Sequence, residues 1–331
     1  MVEYTKNESK DWAKSYLKGQ WSTLVSPFTS DGSLDYDGLK SNINHIVQLG
    51  VTGLGCTWGM GEFWSLTIEE RMKIYEIVSE HARNKVKIAA HVTHSAFEDM
   101  LKLADKAEST GFDLLIVTSP YVVAKSPAQV FEFVSKLAEY TDLAIMFYNS
   151  PQFGIVLEPD WLEQICGIQN VVGVKEASFN KELSVKAHLL IGDKAIVSTP
   201  DEWIFFKGKE MGFQQQVMFA NTSDWRFDTK ENNHYVNFVD NAVIGNVDYI
   251  YYEKHIKPIK DVSDKWWMKI VKQNNGVLPV SLCKYWGELM GMAGGPTRLP
   301  LFDLNDNEKN QLKIEIGNAR TEIIRNTKDS V

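Results

Sequence analysis

In the run Asn170-Val171-Val172-Gly173-Val174-Lys175-Glu176-Ala177, four of the five residues before the lysine are apolar or glycine. A short, nearly continuous apolar run of this kind reads as a strand buried on both faces, the habit of a parallel sheet covered by helices. A lysine closing such a strand is badly placed for solvation, and desolvation lowers an ammonium pKa from its ordinary value of about 10.4. A neutral amine there attacks a carbonyl and forms a Schiff base. The plainer alternative is an ion pair between Lys175 and its neighbour Glu176.

Outward from this strand the chain alternates short apolar runs with longer amphipathic ones. Strands are predicted at Ser22–Phe28, Gly53–Thr57, Val86–Val92, Asp113–Thr118, Leu143–Tyr148, Val171–Lys175, Ala195–Ser198 and Gln215–Ala220. Helical periodicity fills the gaps at Leu39–Leu49, Ile68–His81, Ala96–Ser109, Pro127–Tyr140 and Pro159–Cys166. Thr67 and Glu70 make a capping box, because hydroxyl and carboxylate satisfy opposite free backbone donors. Gly50 and Gly111 stop helices just before strands. Eight βα units over about 200 residues are the count and length of a closed (β/α)8 TIM barrel. No Gly-x-Gly-x-x-Gly turn follows the first strand, which disfavours a doubly wound sheet. Strand signals fade after Asn221. The expected division is an N-terminal extension (1–20), an α/β barrel (21–222) and a C-terminal helical appendage (223–331).

Among the 331 residues the net charge of −8 and the lack of Lys/Arg-rich runs argue against nucleic acid and anionic membranes as partners. Cys56, Cys166 and Cys283 are far apart and lack metal-ligand spacing, which suits a reducing compartment. The polar N-terminus has no signal-peptide core, and no apolar run approaches the ~20 residues of a membrane span. The expectation is a soluble, cytoplasmic protein.

In a barrel, chemistry sits at the C-terminal ends of the strands. Tyr148 closes the fifth predicted strand, Lys175 the sixth, and the loop Trp58-Gly59-Met60-Gly61-Glu62 follows the second. A tyrosine one strand from the amine is placed to shuttle a proton. Gly59 and Gly61 let backbone N–H groups approach a carboxylate. Each feature also has a structural reading, as a core aromatic or a tight turn; their shared end of one barrel joins them. His91 and His94 flank the end of the third strand, but no carboxylate or cysteine completes a ligand set, and no metal is expected. Gln214-Gln215-Gln216 occupies an eighth strand that should be apolar. Buried amides need partners, so Gln216 either faces the substrate or belongs to an interior polar network.

From about Trp21 to Leu304 the chain resembles the dihydrodipicolinate synthase / N-acetylneuraminate lyase family of Schiff-base lyases. The resemblance rests on Ser26-Pro27-Phe28-Thr29-Ser30-Asp31-Gly32, Gly61-Glu62 with Leu66 and Glu69-Glu70, and Phe147-Tyr148-Asn149. It continues in Gly173-Val174-Lys175-Glu176, Ala220-Asn221 and Arg298-Leu299-Pro300-Leu301. It implies that Lys175 forms the imine with a 2-oxo acid, Tyr148 relays protons and backbone near Gly59 and Met60 holds the substrate carboxylate. It also implies a homotetramer or homodimer and requires no cofactor. The departures are informative. Trp58-Gly59-Met60-Gly61-Glu62 stands where the family has Gly-Thr-Thr-Gly-Glu, leaving Thr57 as the nearest hydroxyl. Val122 replaces a tyrosine that reaches a neighbouring subunit, and Gln152-Phe153 stands where the synthases place an arginine for the aldehyde's carboxylate.

Two substrate classes remain. Asp201-Glu202 resembles the acidic pair with which sialic-acid lyases hold hydroxyls, and Gly59-Met60-Gly61-Glu62-Phe63-Trp64 resembles the loop of keto-deoxy-glucarate dehydratases. Against these, Trp58, Phe63, Trp64, Phe153, Trp203 and Trp225 fall in predicted mouth loops and suit an apolar or aromatic aldehyde. The reading is an imine-forming lyase or aldolase acting on a 2-oxo acid such as pyruvate. A sugar-acid dehydratase and a non-catalytic 2-oxo-acid-binding paralogue are the alternatives. The candidate site is catalytic Lys175 and Tyr148, with Trp58, Gly59, Met60, Gly61, Phe153, Asp201, Glu202, Gln216 and Asn221 around the substrate.

Overall fold

In the computed structural model, which describes residues 2–219 and 223–328, the alternation closes into a ring of eight parallel strands. They are Gly19–Thr23 (β1), Gly53–Cys56 (β2), Lys87–His91 (β3), Leu114–Thr118 (β4), Ala144–Asn149 (β5), Val171–Glu176 (β6), Ile196–Ser198 (β7) and Val217–Phe219 (β8). Backbone ladders run β7-β6-β5-β4-β3-β2-β1-β8. Side chains bridge the remaining seam. Phe219 N donates to Ser198 Oγ at 2.9 Å, and the Gln215 amide takes Thr199 N at 2.6 Å and gives to Thr199 O at 3.1 Å.

Outside the strands lie Tyr36–Gln48 (α2), Ile68–Ala82 (α3), Phe97–Thr110 (α4), Pro127–Tyr140 (α5), Pro159–Gly167 (α6), Lys181–Ile191 (α7) and Trp203–Met211 (α8), after an N-terminal α1 at Ser9–Tyr16. The capping box at Thr67 and Glu70 is formed, and Gly111 ends α4 at φ +82°. The described remainder is helical: Ser223–Phe227 (α9), His234–Ala242 (α10), Tyr249–Tyr251 (α11), a π turn Tyr252–Ile256, Lys257–Gln273 (α12), Val280–Leu289 (α13) and Asp306–Lys328 (α14).

The barrel interior is filled with aromatic rings. Trp21 and Phe219 pack with centroids 4.8 Å apart, and Phe219 also meets Trp58 at 5.8 Å. Strand β2 makes room by having no side chain there. A Cβ on Gly53 would penetrate the Trp21 ring, and one on Gly55 the Trp58 ring.

The N-terminal residues are part of this core. Trp12, Ala13 and Leu17 are buried, and Tyr4 donates to Asp113 O at 2.6 Å while accepting from Ala144 N at 2.8 Å. Asp113 and Ala144 lie at the strand starts, so α1 covers the floor of the barrel. This relocates Gln216, which lies beside the first residue of β1. Its amide donates to the carbonyls of Lys14 and Leu17, at 3.2 and 2.8 Å, where α1 ends. The last carbonyls of a helix need such donors, and Gln216 serves them at the end of the barrel opposite the chemistry. Asn221 lies outside the described residues.

Candidate active site

Alternation along β6 separates its last two residues. Glu176 points outward, accepting from Ser178 N at 2.9 Å and from the Ser184 hydroxyl of α7. Lys175 points inward and is not paired with Glu176. It is paired in register with Tyr148 of β5, and its Nζ lies 4.5 Å from the Tyr148 ring centre and 4.8 Å from that of Trp58. Burial brings the ammonium down to a pKa of about 7. Burial has the opposite effect on Tyr148, whose hydroxyl holds its proton above the usual range.

The loop after β2 is tightly constrained. Thr57 has φ +54° and Glu62 φ +51°. A positive φ is costly for a β-branched residue, and such strain tends to gather at functional sites. Between them Gly59-Met60-Gly61 forms a single 3-10 turn, with Gly61 N bonded to Trp58 O and Glu62 N to Gly59 O. The N–H groups of Gly59 and Met60 precede these bonds and have no partner within the turn. At Gly59 a Cβ would stand 2.7 Å from Leu278 and 2.8 Å from Phe153, so glycine is what allows Phe153 to lie on the loop. Glu62 anchors the other end. Its carboxylate meets the Lys284 ammonium of α13 at 2.7 Å with both groups buried, and accepts from Ser65 Oγ.

Phe153 is the centre of an aromatic cover. Its ring lies 5.3 Å from Tyr148, 5.5 Å from Phe63 and 6.4 Å from Trp64, and Phe63 in turn meets Tyr121 and His91. The loop carrying it is pinned by Asn149, which gives to Leu157 O at 3.0 Å and takes from Leu157 N at 2.9 Å. Lys175, Tyr148, Trp58, Met60, Phe63 and Phe153 are all buried.

The other expected site residues are engaged elsewhere. Glu202 accepts from Tyr235 of α10 at 2.6 Å, and both Asp201 and Glu202 lie 3.7 Å from Lys260 of α12. Partial burial and the neighbouring Glu202 carboxylate raise the Asp201 pKa above the usual carboxylate range. The Thr57 hydroxyl is committed to His91 O at 3.1 Å and does not replace the missing loop hydroxyls. Trp225 donates to Thr23 O, and Trp203 stacks under Lys181. Lys284 near the site was not anticipated, and His91 was expected only as a polar residue at the end of the third strand. Lys284 stands alone in the apolar face of α13, which was a legible hint. His91 is fully buried with Nδ1 3.0 Å from Thr57 O and no partner for Nε2 among the described residues. No group of three or more potential metal ligands is found among the described residues.

An inward lysine of lowered pKa near the end of the sixth barrel strand thus stands beside a tyrosine of the fifth. The family model of the dihydrodipicolinate synthetases matches residues 16–319. The chain belongs to that family. Its members are Schiff-base lyases, and the chain is an enzyme of that class. The 4-hydroxy-tetrahydrodipicolinate synthase of Methanothrix thermoacetophila is 27% identical over 301 residues, covering 90% of this chain and 95% of the relative. That of Methanococcus maripaludis is 25% identical over 307 residues, covering 91% and 98%. Two solved structures share the fold. A prophage protein of the dihydrodipicolinic acid synthase family from E. coli K12, in complex with pyruvate, has a TM-score of 0.77 at 20% identity, covering 92% of this chain and 98% of its own. The N-acetylneuraminate lyase of Mycoplasma synoviae gives 0.72 at 20%, covering 95% and 99%. No described helix is long and apolar enough to cross a membrane.

Proposed function

We propose that Lys175 forms a Schiff base with a 2-oxo acid such as pyruvate, and that the enzyme makes or breaks a C–C bond to an apolar or aromatic aldehyde. The observation that carries this reading is the enclosure of a low-pKa amine by rings: Trp58 and Tyr148 flank Nζ, and Phe153 and Phe63 continue the wall above them. The pyruvate-bound structure of the prophage relative supports the choice of 2-oxo acid.

The neutral Nζ attacks C2 of the 2-oxo acid. The resulting carbinolamine oxygen takes a proton from the Tyr148 hydroxyl and leaves as water. In the cleavage direction the hydroxyl on C4 gives its proton to the Tyr148 phenolate, restoring the hydroxyl that later protonates C3, the C3–C4 bonding pair moves into the iminium, and the aldehyde departs. The enamine is then protonated at C3 and water hydrolyses the imine; condensation is the reverse. The N–H groups of Gly59 and Met60, which have no partner within the turn, are assigned to the carboxylate.

The same iminium supports loss of water, so a keto-deoxy sugar-acid dehydratase is the second reading. It needs polar groups for hydroxyls, and the binding of Glu202 by Tyr235 and Lys260 weighs against it. For assembly, the exposed pair Val122 and Val123 is assigned to contact with a second copy of the chain. The test of function is borohydride reduction with pyruvate followed by peptide mapping, then turnover with a panel of aryl, aliphatic and sugar-derived partners. The expected result is an adduct on Lys175 and preference for the aryl compounds. An adduct on another lysine refutes the catalytic assignment, and preference for sugar acids refutes the aromatic one.

A further inference from the structure

Away from the barrel mouth, the C-terminal helices enclose a cavity of about 290 Å³ that shares no lining residue with the site around Lys175. One side is polar. His234, the first residue of α10, and His255, in the π turn before α12, stack with ring centres 4.4 Å apart at 15°. His234 uses Nδ1 with the Tyr251 hydroxyl at 2.8 Å, while its Nε2 and the Nδ1 of His255 have no partner among the described residues. His255 is only 9% exposed. Arg320 of α14 lines the same cavity. Its nearest acceptors are Phe227 O at 3.5 Å and Met290 Sδ, and it forms no ion pair with the described residues. The Asp228 carboxylate nearby is held by the N–H groups of Tyr235 and Val236. Phe227, Ile259 and Ile323 supply apolar lining beside these groups.

A buried polar nitrogen without a partner costs roughly 1–3 kcal/mol, and a guanidinium carries five donors. Three such under-satisfied groups on one wall of a cavity call for a common acceptor. Single-turn π segments are rare and collect at functional sites, and this one places His255 on that wall. Burial lowers the pKa of both imidazoles, and among the residues that line the cavity Arg320 brings the permanent positive charge. A guanidinium fork matches a carboxylate in two parallel bonds. One charge suits a monoanion, and the apolar wall suits a hydrocarbon body. The volume is near the lower end, about 300 Å³, of small-molecule pockets.

We propose that this cavity is a second ligand site, taking a small amphipathic carboxylate. The carboxylate lies on Arg320 and the two imidazole nitrogens, and the apolar body lies against Phe227, Ile259 and Ile323. The site belongs to the helical appendage and works whether or not Lys175 forms an imine.

Calorimetric titration of the full chain with benzoate tests it, with inorganic phosphate as the comparison. Binding is expected with Kd on the order of 1 mM or tighter. It should persist in Lys175→Ala, which removes the amine of the barrel site, and weaken at least about tenfold in Arg320→Gln. Ile324→Glu adds a like charge at an exposed position on the rim and should also weaken it. That variant decides the matter if Arg320→Gln fails to fold, and pyruvate trapping on Lys175 should survive in both. The proposal is overturned if benzoate does not bind, if Lys175→Ala abolishes binding, if the folded cavity variants bind normally, or if phosphate binds as tightly as benzoate.

Discussion

The Lys175 ammonium nitrogen stands 4.5 Å from the centre of the Tyr148 ring, held there because the two residues face each other in register on neighbouring strands. With Trp58 on another side, the amine has two ring faces that attract its charged form, each worth up to about 2 kcal/mol when desolvated. Removing an ammonium from water costs several kcal/mol, so desolvation wins and the pKa falls to about 7.

That balance sets a pH dependence. Imine trapping with pyruvate should rise as pH passes through about 7 and then level off, because only the neutral amine attacks. The same shift acts on stability. Between the folded pKa of about 7 and the ordinary value near 10.5, the unfolded chain holds a proton that the folded one lacks, so stability rises with pH across that window. Lys175→Met removes this term. Compared with the parent, it should be stabilised more at pH 7 than at pH 10, as measured by urea unfolding.

Tyr148→Phe keeps the ring beside the amine and removes only the hydroxyl. Borohydride trapping should persist while turnover falls by about 10²-fold or more, the usual scale for a lost acid–base group. Unchanged turnover would make Tyr148 a packing residue.

Phe153→Ala and the pair Asp201→Asn/Glu202→Gln distinguish the two substrate classes. With an aryl aldehyde, Phe153→Ala should raise KM clearly, whereas the double variant should leave it nearly unaltered. The opposite pattern would favour a polyhydroxylated substrate.

Condensation of pyruvate with aspartate semialdehyde should be negligible. That aldehyde brings a carboxylate, and Gln152-Phe153 offers it no cation; the guanidinium of Arg71 beside Phe63 is committed to the carbonyls of His91 and Thr93. A buried carboxylate without a partner costs several kcal/mol. Turnover at ordinary enzymatic rates would overturn this expectation.

Lys284→Met leaves the Glu62 carboxylate buried without its cation, at a cost of about 3–5 kcal/mol in unfolding free energy. A double variant with Glu62→Gln should cost less than the sum of the two single changes, since they share one interaction. Chemical denaturation of the four proteins measures the difference.

The barrel, the βα alternation and the pairing of Lys175 with Tyr148 were legible because the strands are apolar runs separated by capped helices. The first strand was expected at Ser22–Phe28 and begins instead at Gly19. Gln20 and Ser22 look unlike a buried strand, but the Gln20 amide donates to Asp224 of α9 at 3.0 Å, a partner 204 residues away that no local pattern announces. The same limit applies to Gln216, whose partners belong to α1, and to Glu202, whose partners belong to α10 and α12. Helix α1 was hidden because its polar surface outweighs the few residues, Trp12 and Ala13 among them, that it presents to the floor. A string of residues reports its own periodicity well and its distant partners hardly at all.

The junction of β7 and β8 behaves differently from the other seven. Elsewhere the staves are joined by peptide groups, which no substitution other than proline removes; here, among the described residues, the joint is made by the side chains of Ser198 and Gln215, which two substitutions can erase. Amide exchange should begin at Thr199 and Phe219 before it reaches the ladder between β4 and β5. Ser198→Ala with Gln215→Leu would turn a closed cylinder into a hinged sheet whose free edges flank the strand next to Lys175.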